Sequence, residues 1–259
     1  MMTNKPLEKI NFLKDSRLLF VSKLQTLTRQ TPSHSHPEGQ LFYNISGKML
    51  AECDQMQWVI PSTRALWVPP NMPHSGISLS PVHIHSIYVN PGVSLSKTDM
   101  EKPKLLFVGS LLRELIKTAS TFPDDRECSR TQKNILTVIF DQLCESVPEP
   151  GLFPVAKDKR LIKATRLLHT LPGESGLDEI SKKSGASTAT LKRLFQSELG
   201  LSFTDYRKQV RILAALPLIS SGESALNVAL EVGYESSSAF SKAFKSVMGI
   251  SIPEFKKRS

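Results

Sequence analysis

The sequence predicts an α+β protein of two domains. The first is an N-terminal β-barrel or sandwich with appended helices, and the second an all-α domain of two helix-turn-helix units joined by a long helix. Three observations predict this. Between Leu41 and Val89, short apolar alternations are cut by turn signals at Ser46-Gly47, Pro61-Ser62, Pro69-Pro70-Asn71-Met72-Pro73 and Ser80-Pro81. From Leu105 to Val147 the apolar period lengthens from that of a strand to that of a helix. In the C-terminal part, one segment recurs at an offset of 49 residues, the mark of a duplication.

With 259 residues, 40% of them hydrophobic and 22% charged, the chain has material for two folded domains and lacks the profile of disorder. No apolar run approaches the roughly 18 residues a bilayer crossing needs. Met1 to Phe20 mixes Lys, Glu and Asp into its apolar positions, so no signal peptide, no membrane partner and a cytoplasmic location are expected. Cys53, Cys128 and Cys144 are odd in number and widely spaced, which suits buried thiols rather than a disulfide framework or a C-x-x-C site. The net charge of +9 is uneven: residues 1–154 carry 16 Lys and Arg against 14 Asp and Glu, and residues 155–259 carry 17 against 10. A polyanionic partner is therefore expected at the C-terminal part.

Taken in chain order, the barrel comes first, and the N-terminal half holds five of the six histidines. His34-Ser35-His36 followed by Gln40 and Gly47, with Pro69-Pro70-Asn71-Met72-Pro73-His74 further on, resembles the two sequence motifs of the cupin barrel. That resemblance implies a jelly roll over residues 1–104, with His34, His36, Gln40 and His74 converging on an effector-binding interior. Three imidazoles and an amide oxygen can hold a divalent transition metal such as zinc, iron, nickel or manganese, or serve as polar lining for an organic ligand. Gln40 stands where metal-binding cupins usually carry Glu, and Asn71 where the second motif usually has Gly. Trp67 and Tyr43 are candidates for lining the same pocket. His83 and His85 alternate along a strand, share a face and are assigned no role.

Next, Leu111, Leu112, Leu115 and Ile116 fall on one helical face, and Leu136, Ile139, Phe140 and Leu143 on another. Residues 105–150 are thus read as a helical segment that docks, dimerises or covers the barrel. Val147 to Pro154 contains three prolines and a glycine and cannot continue a helix, which places a linker at 151–157 and the second domain at 158–259.

Each repeat in the second domain has the anatomy of a helix-turn-helix. A short helix, Leu177 to Ser184 or Ala225 to Val232, carries a small residue at a close crossing, Ser181 or Ala229, and ends at Gly185 or Gly233. A second helix then starts at a serine N-cap, Ser187 in one unit and Ser236 or Ser237 in the other. Leu191, Leu194 and Phe195 form the apolar stripe of the first, and Phe240, Ala243 and Phe244 that of the second. The opposite faces offer Thr188, Thr190, Lys192, Arg193 and Gln196, then Ser237, Ser238, Ser241, Lys242 and Lys245. Hydroxyls, amides and cations suit phosphates and base edges. Between the units, Ser202 to Ile219 reads as one helix with Phe203, Tyr206, Val210, Leu213 and Ala214 inward. Eighteen residues span roughly 27 Å, a little under the ~34 Å of one duplex turn, so both units can enter successive major grooves on one face of DNA. Pro217 lies inside this helix, where it removes a backbone bond and crowds the carbonyl of Leu213.

Over about residues 158–257 the chain resembles the AraC/XylS family of bacterial transcription regulators. Carrying the resemblance are Leu199-Gly200-Leu201-Ser202-Phe203, Arg211, Gly233-Tyr234-Glu235-Ser236, Ser238-Ala239-Phe240-Ser241, Phe244-Lys245 and Gly249-Ile250-Ser251-Ile252-Pro253. Gln40-Leu41-Phe42-Tyr43 and Ala65-Leu66-Trp67-Val68-Pro69 resemble the family's cupin-type sensor. The resemblance implies a transcription factor, not an enzyme, that binds promoter DNA, answers to a small-molecule effector, meets RNA polymerase and forms a homodimer. It is closest to the branch that often controls neighbouring transporter or efflux genes. It places base-reading positions at Ala189, Lys192 and Arg193 in the first unit and at Ser237, Ser238, Ser241 and Lys242 in the second. Two other classes compete: a metal-dependent cupin enzyme carrying a DNA-binding domain, and a non-specific architectural DNA binder.

Overall fold

The structure, a computed structural model, describes residues 19–21, 25–27, 30–54, 56–62, 64–90, 101–122, 128–146, 148–149, 152–173 and 176–258. The N-terminal half is built from two antiparallel sheets. Strands β1 (Leu19–Val21), β2 (Gln25–Leu27), β3 (Gly39–Ser46), β4 (Met49–Cys53), β5 (Met56–Ile60), β6 (Arg64–Val68), β7 (His74–Ser78) and β8 (Val82–Val89) are followed by β9 (Lys104–Phe107), β10 (Pro148–Glu149) and β11 (Leu152–Pro154). The larger sheet runs β1-β8-β3-β6-β9-β10 with β2 also on β8, and the smaller runs β11-β5-β4-β7.

Alternation along the strands decides what each face meets. Phe42, Leu66, Val68 and Ile84 of the larger sheet pack against Met49, Ala51, Trp58 and Ile60 of the smaller. The other face of the larger sheet, Leu41, Tyr43, Ala65, Trp67, Ile87 and Val89, is covered by helices α1 (Ser110–Ala119) and α2 (Arg130–Glu145) through Leu112, Ile116, Leu136, Ile139 and Leu143. The faces expected on residues 105–150 thus lie against the sheet. Leu111 departs from its expected stripe and is exposed. Trp67 and Tyr43 also depart: both point toward α1 and α2, away from the space between the sheets. Gly39 is required beside Trp67, because a Cβ there would stand 2.1 Å from the indole.

The proline-rich boundary corrects the expectation of a linker at 151–157. Residues 147, 150 and 151 lie outside the described residues, but Leu152, Phe153 and Pro154 pair with Trp58, Gln57 and Met56 of β5. Strand β9 pairs with β6 and β10 with β9, so the barrel's sheets extend past residue 104. Proline tolerates these places because edge strands do not need every N–H.

The second half is helical: α3 (Lys159–Thr170), α4 (Leu177–Ser184), α5 (Thr188–Leu199), α6 (Phe203–Ser220), α7 (Ala225–Glu231), α8 (Ser237–Met248) and α9 (Ile252–Arg258). Its core gathers Phe195 with Phe203 and Tyr206, at ring separations of 5.4 and 5.2 Å, and Phe244 with Phe240 and Phe255, at 6.0 and 5.5 Å. Pro217 sits in the last turn of α6, which runs on to Ser220. The two halves touch. Phe153 of β11 is fully buried among the helical residues, its ring 4.6 Å from that of Tyr206. Lys48, in the turn before β4, donates to the carbonyl of Thr170 at 2.6 Å.

Candidate functional site: two helical faces and a polar cluster in the barrel

Helix α5 begins where Gly185, at φ +77°, reverses the chain after α4 and the Ser187 hydroxyl accepts from the Thr190 N–H at 3.1 Å. Helix α8 begins likewise after Gly233, at φ +84°, with Ser236 accepting from the Ala239 N–H at 3.2 Å. Of the two serines open at this cap in the sequence, Ser236 is the one that serves. Leu191, Leu194 and Phe195, and Phe240 and Phe244, are buried, which turns the other side of each helix outward. Ala189, Lys192, Arg193, Ser238, Ser241 and Lys242 are exposed, and Ser237 is half-buried. Thr190 is less open than its place in the sequence suggests, since its hydroxyl meets that of Ser187 at 2.8 Å. The single acid of α5, Glu198, accepts from the N–H groups of Lys157 and Asp158, at 2.6 and 3.2 Å, and so anchors the start of α3. The exposed faces carry hydroxyls and cations without a carboxylate.

Arg211 holds the two units in relation to each other. Its guanidinium donates to the carbonyls of Pro172 at 3.0 Å, Gly173 at 3.1 Å and Gly233 at 2.8 Å, and lies 5.5 Å from the Tyr234 ring centre. It thereby ties α6, the turn before α4 and the turn of the second unit. Sequence reasoning singled out Arg211 by resemblance alone. Its physical role depends on three carbonyls that no local pattern announces.

At one end of the barrel, His34, His36, Gln40 and His74 come together as the sequence expected. The turn of the second motif places Asn71 at φ +60°, the left-handed conformation for which glycine is usual and asparagine is the tolerant substitute. The Asn71 N–H donates to the His36 carbonyl at 2.8 Å, and His34 and His74 exchange main-chain bonds of 3.0 and 2.9 Å, so the two motifs are stitched together. The imidazole centroids of His34 and His36 lie 4.4 and 5.1 Å from that of His74.

Each of these rings turns Nδ1 toward a main-chain carbonyl: Pro32 for His34 at 3.0 Å, Glu38 for His36 at 3.0 Å and Met72 for His74 at 2.9 Å. Gln40 Oε1 lies 2.8 Å from His36 Nε2 and 3.1 Å from His74 Nε2, while its amide nitrogen donates to the Ser86 hydroxyl at 3.1 Å and the Tyr88 hydroxyl at 3.2 Å. Burial, opposed by the bond to Met72 and reinforced by His34 and His36, pushes His74 down to about 4, so near neutral pH it is an uncharged base. One ligand atom from each histidine lies within 4.8 Å of the others, a set that fits a metal ion. Ser86 and Tyr88, which hold Gln40, were not expected. They sit on β8 at the parity opposite to His83 and His85, and only the strand pairing reveals which parity faces inward.

Comparisons with known proteins agree with this division. Residues 24–129 match the family model described as an AraC-like ligand binding domain, and residues 180–258 match one described as a helix-turn-helix domain. The HTH-type transcriptional regulator NimR of Escherichia coli is 26% identical over 220 residues, which is 85% of this chain and 80% of that protein. The HTH-type transcriptional regulator MtrA of Neisseria gonorrhoeae is 34% identical over 109 residues, 41% of this chain and 36% of that one. Among solved structures, ToxT of Vibrio cholerae with an unsaturated fatty acid bound is similar over 93% of this chain and 95% of its own, at 17% identity and a TM-score of 0.37. No described helix is long and apolar enough to cross a membrane.

Proposed function

Since the chain is an AraC-family transcription regulator, with an AraC-like ligand-binding domain ahead of a helix-turn-helix DNA-binding domain, we propose that Ala189, Lys192 and Arg193 read bases from one major groove and Ser237, Ser238, Ser241 and Lys242 from the next. The observation that carries this reading is the outward, acid-free face of each second helix over a buried apolar stripe. The effector enters the barrel at His34, His36, Gln40 and His74, and occupancy changes DNA affinity to the extent that the ligand binds one arrangement of the protein better than another. The barrel has a sensing role and no catalytic one, in keeping with the regulators that the chain resembles. The protein acts in the cytoplasm as a homodimer, with RNA polymerase as a further partner and transporter or efflux genes beside its sites. Sensing belongs to the barrel sheets, including β9, β10 and β11, with α1 and α2 packed on them, and DNA binding to residues 158–259.

The decisive experiment measures affinity of the full chain for an operator selected from genomic DNA. Lys192→Ala and Arg193→Ala should each weaken specific binding by about 1–3 kcal/mol, with little change on unrelated DNA. Parent-like binding by both variants overturns the recognition surface. Equal affinity for all sequences with a steep salt dependence would identify an architectural binder instead.

A further inference from the structure

The barrel touches each reading unit through an aromatic ring of the helical core. On the first unit, the Phe153 ring of β11 lies 4.6 Å from that of Tyr206, which lies 5.2 Å from that of Phe195 on α5. On the second unit the contact is Arg64, the first residue of β6, which is fully buried. Its guanidinium carbon lies 4.5 Å from the ring centre of Phe107 on β9 and 5.2 Å from that of Phe255 on α9. Phe255 in turn lies 5.5 Å from Phe244 on α8. Each line ends on a buried ring beneath an exposed face, Phe195 under Lys192 and Arg193, and Phe244 under Ser241 and Lys242.

The two contacts differ in what they fix. Apolar burial at Phe153 scales with area and has no preferred direction. Arg64 is more exacting: burial strips a guanidinium of water, and the negative faces of aromatic rings offset part of that loss where an aliphatic neighbour does not. One of its two rings belongs to the barrel and the other to the last helix of the second unit, so sliding α9 along the seam separates cation and ring. Arg211 relates the two units from within the helical half, and Arg64 does so from the barrel.

Arg64 also ends an inward row of side chains. Gln40, Phe42 and Asn44 of β3 stand opposite Val68, Leu66 and Arg64 of β6 and share one parity. The row starts at the polar cluster, where Phe42 lies 5.5 Å from the His74 ring, and crosses the packed space between the sheets through Leu66. It ends four residues on, about 13 Å away, at Asn44 and Arg64. The Asn44 amide is held there by the carbonyls of Ile60 at 2.8 Å and Gly47 at 3.2 Å.

We propose that Arg64 is a positioning residue for DNA reading: stacked on Phe255, it holds the second helix-turn-helix unit at a set distance from the first, which Phe153 anchors, so that the barrel braces both. This rests on the reading of α5 and α8 as the two recognition helices, and it gives the barrel a physical handle on their spacing.

The test measures binding of the full chain to a selected two-part operator, to the same DNA with the part under the second unit scrambled, and to a series in which the two parts are moved apart base pair by base pair. Circular dichroism and melting report the fold. Arg64→Met keeps the stem and removes the cation, and Phe255→Leu keeps an apolar side chain and removes the ring. Each should weaken binding to the two-part operator roughly 5- to 30-fold, leave binding to the first part alone within about twofold, and flatten the preference among spacings. The double variant should lose no more than the worse single one, since both remove the same contact. Arg64→Lys, which keeps a cation, should fall between the parent and Arg64→Met, and Phe107→Leu, which alters only the barrel side, should keep the parent's spacing preference. Where Arg64→Met does not fold, Arg64→Lys and Phe255→Leu close the same cycle. Additive losses, or equal losses on both DNAs by folded variants, overturn the proposal. A parent that needs both operator parts, beside folded variants with parent-like spacing preference, removes the brace alone, whereas a parent that binds neither part sinks the two-groove reading and the brace with it.

Discussion

At the scale of single residues, His169 is a buried polar group of the helical half whose protonation the fold controls. It is buried among helical residues, its Nε2 meets the Tyr206 hydroxyl at 2.9 Å, and its Nδ1 has no hydrogen-bond partner among the described residues. Burial, with Lys48 nearby, pushes it down to about 3, from 6.5 in an unfolded chain. Below pH 6.5 the unfolded state therefore takes up a proton that the folded state refuses until about pH 3. The stability contribution is complete above 6.5 and shrinks as pH falls through that window. Denaturant titrations at pH 7 and pH 5 should show a loss of about 2 kcal/mol from this group. His169→Gln should reduce the difference between the two pH values, and an unchanged difference would refute the assignment. Residue chemistry was well legible in the sequence where a motif marks it, as at His34, His36 and His74, and at the capping serine Ser187. It was not legible for His169, whose environment comes from Phe153 and Tyr206, distant in the chain.

Among the elements, the relation between the two helix-turn-helix units matters most. The duplication and the long α6 were apparent from periodicity, because apolar spacing, capping serines and turn glycines act within a few residues of each other. The clamp at Arg211 was not, since its acceptors come from the turn before α4 and from the second unit. Arg211→Ala removes three charge-assisted bonds and should cost roughly 2–4 kcal/mol. Its binding signature should be a loss on a two-part operator far larger than on either half alone, read by titrating both DNAs. Arg211→Lys should restore little, because one ammonium cannot span the three carbonyls as the planar guanidinium does. If half-site and full-site affinities fall together, the clamp does not set the spacing.

For the molecule as a whole, β11 joins sensing to reading. Its main chain extends the smaller sheet through β5, while the Phe153 side chain fills the helical core. A hollow of about 300 Å³ between the halves is lined by Lys48, Met49 and Pro61 of the barrel and by Leu213 and Pro217 of α6. Movement in the barrel thus meets the helix that spaces the two units. Phe153→Ala should cost about 3–5 kcal/mol as a large-to-small change in a filled core. It should also split a single calorimetric transition into two and speed protease cleavage near residue 155. Retention of one cooperative transition would show that β11 does not couple the halves.

The sequence by itself determined the order of the domains, the copied reader units, the side of each second helix that faces outward and the histidines that meet in the barrel. All of these follow from spacings of a few residues or from motifs that carry their own geometry. Tertiary structure alone decided that Trp67 and Tyr43 face α1 and α2, that residues 152–154 of the proline-rich boundary form a strand of the barrel, and that Ser86 and Tyr88 hold Gln40. The reason is parity and distance. A slip of one residue in strand pairing exchanges the two faces of a sheet, and that pairing is fixed by partners tens of residues away.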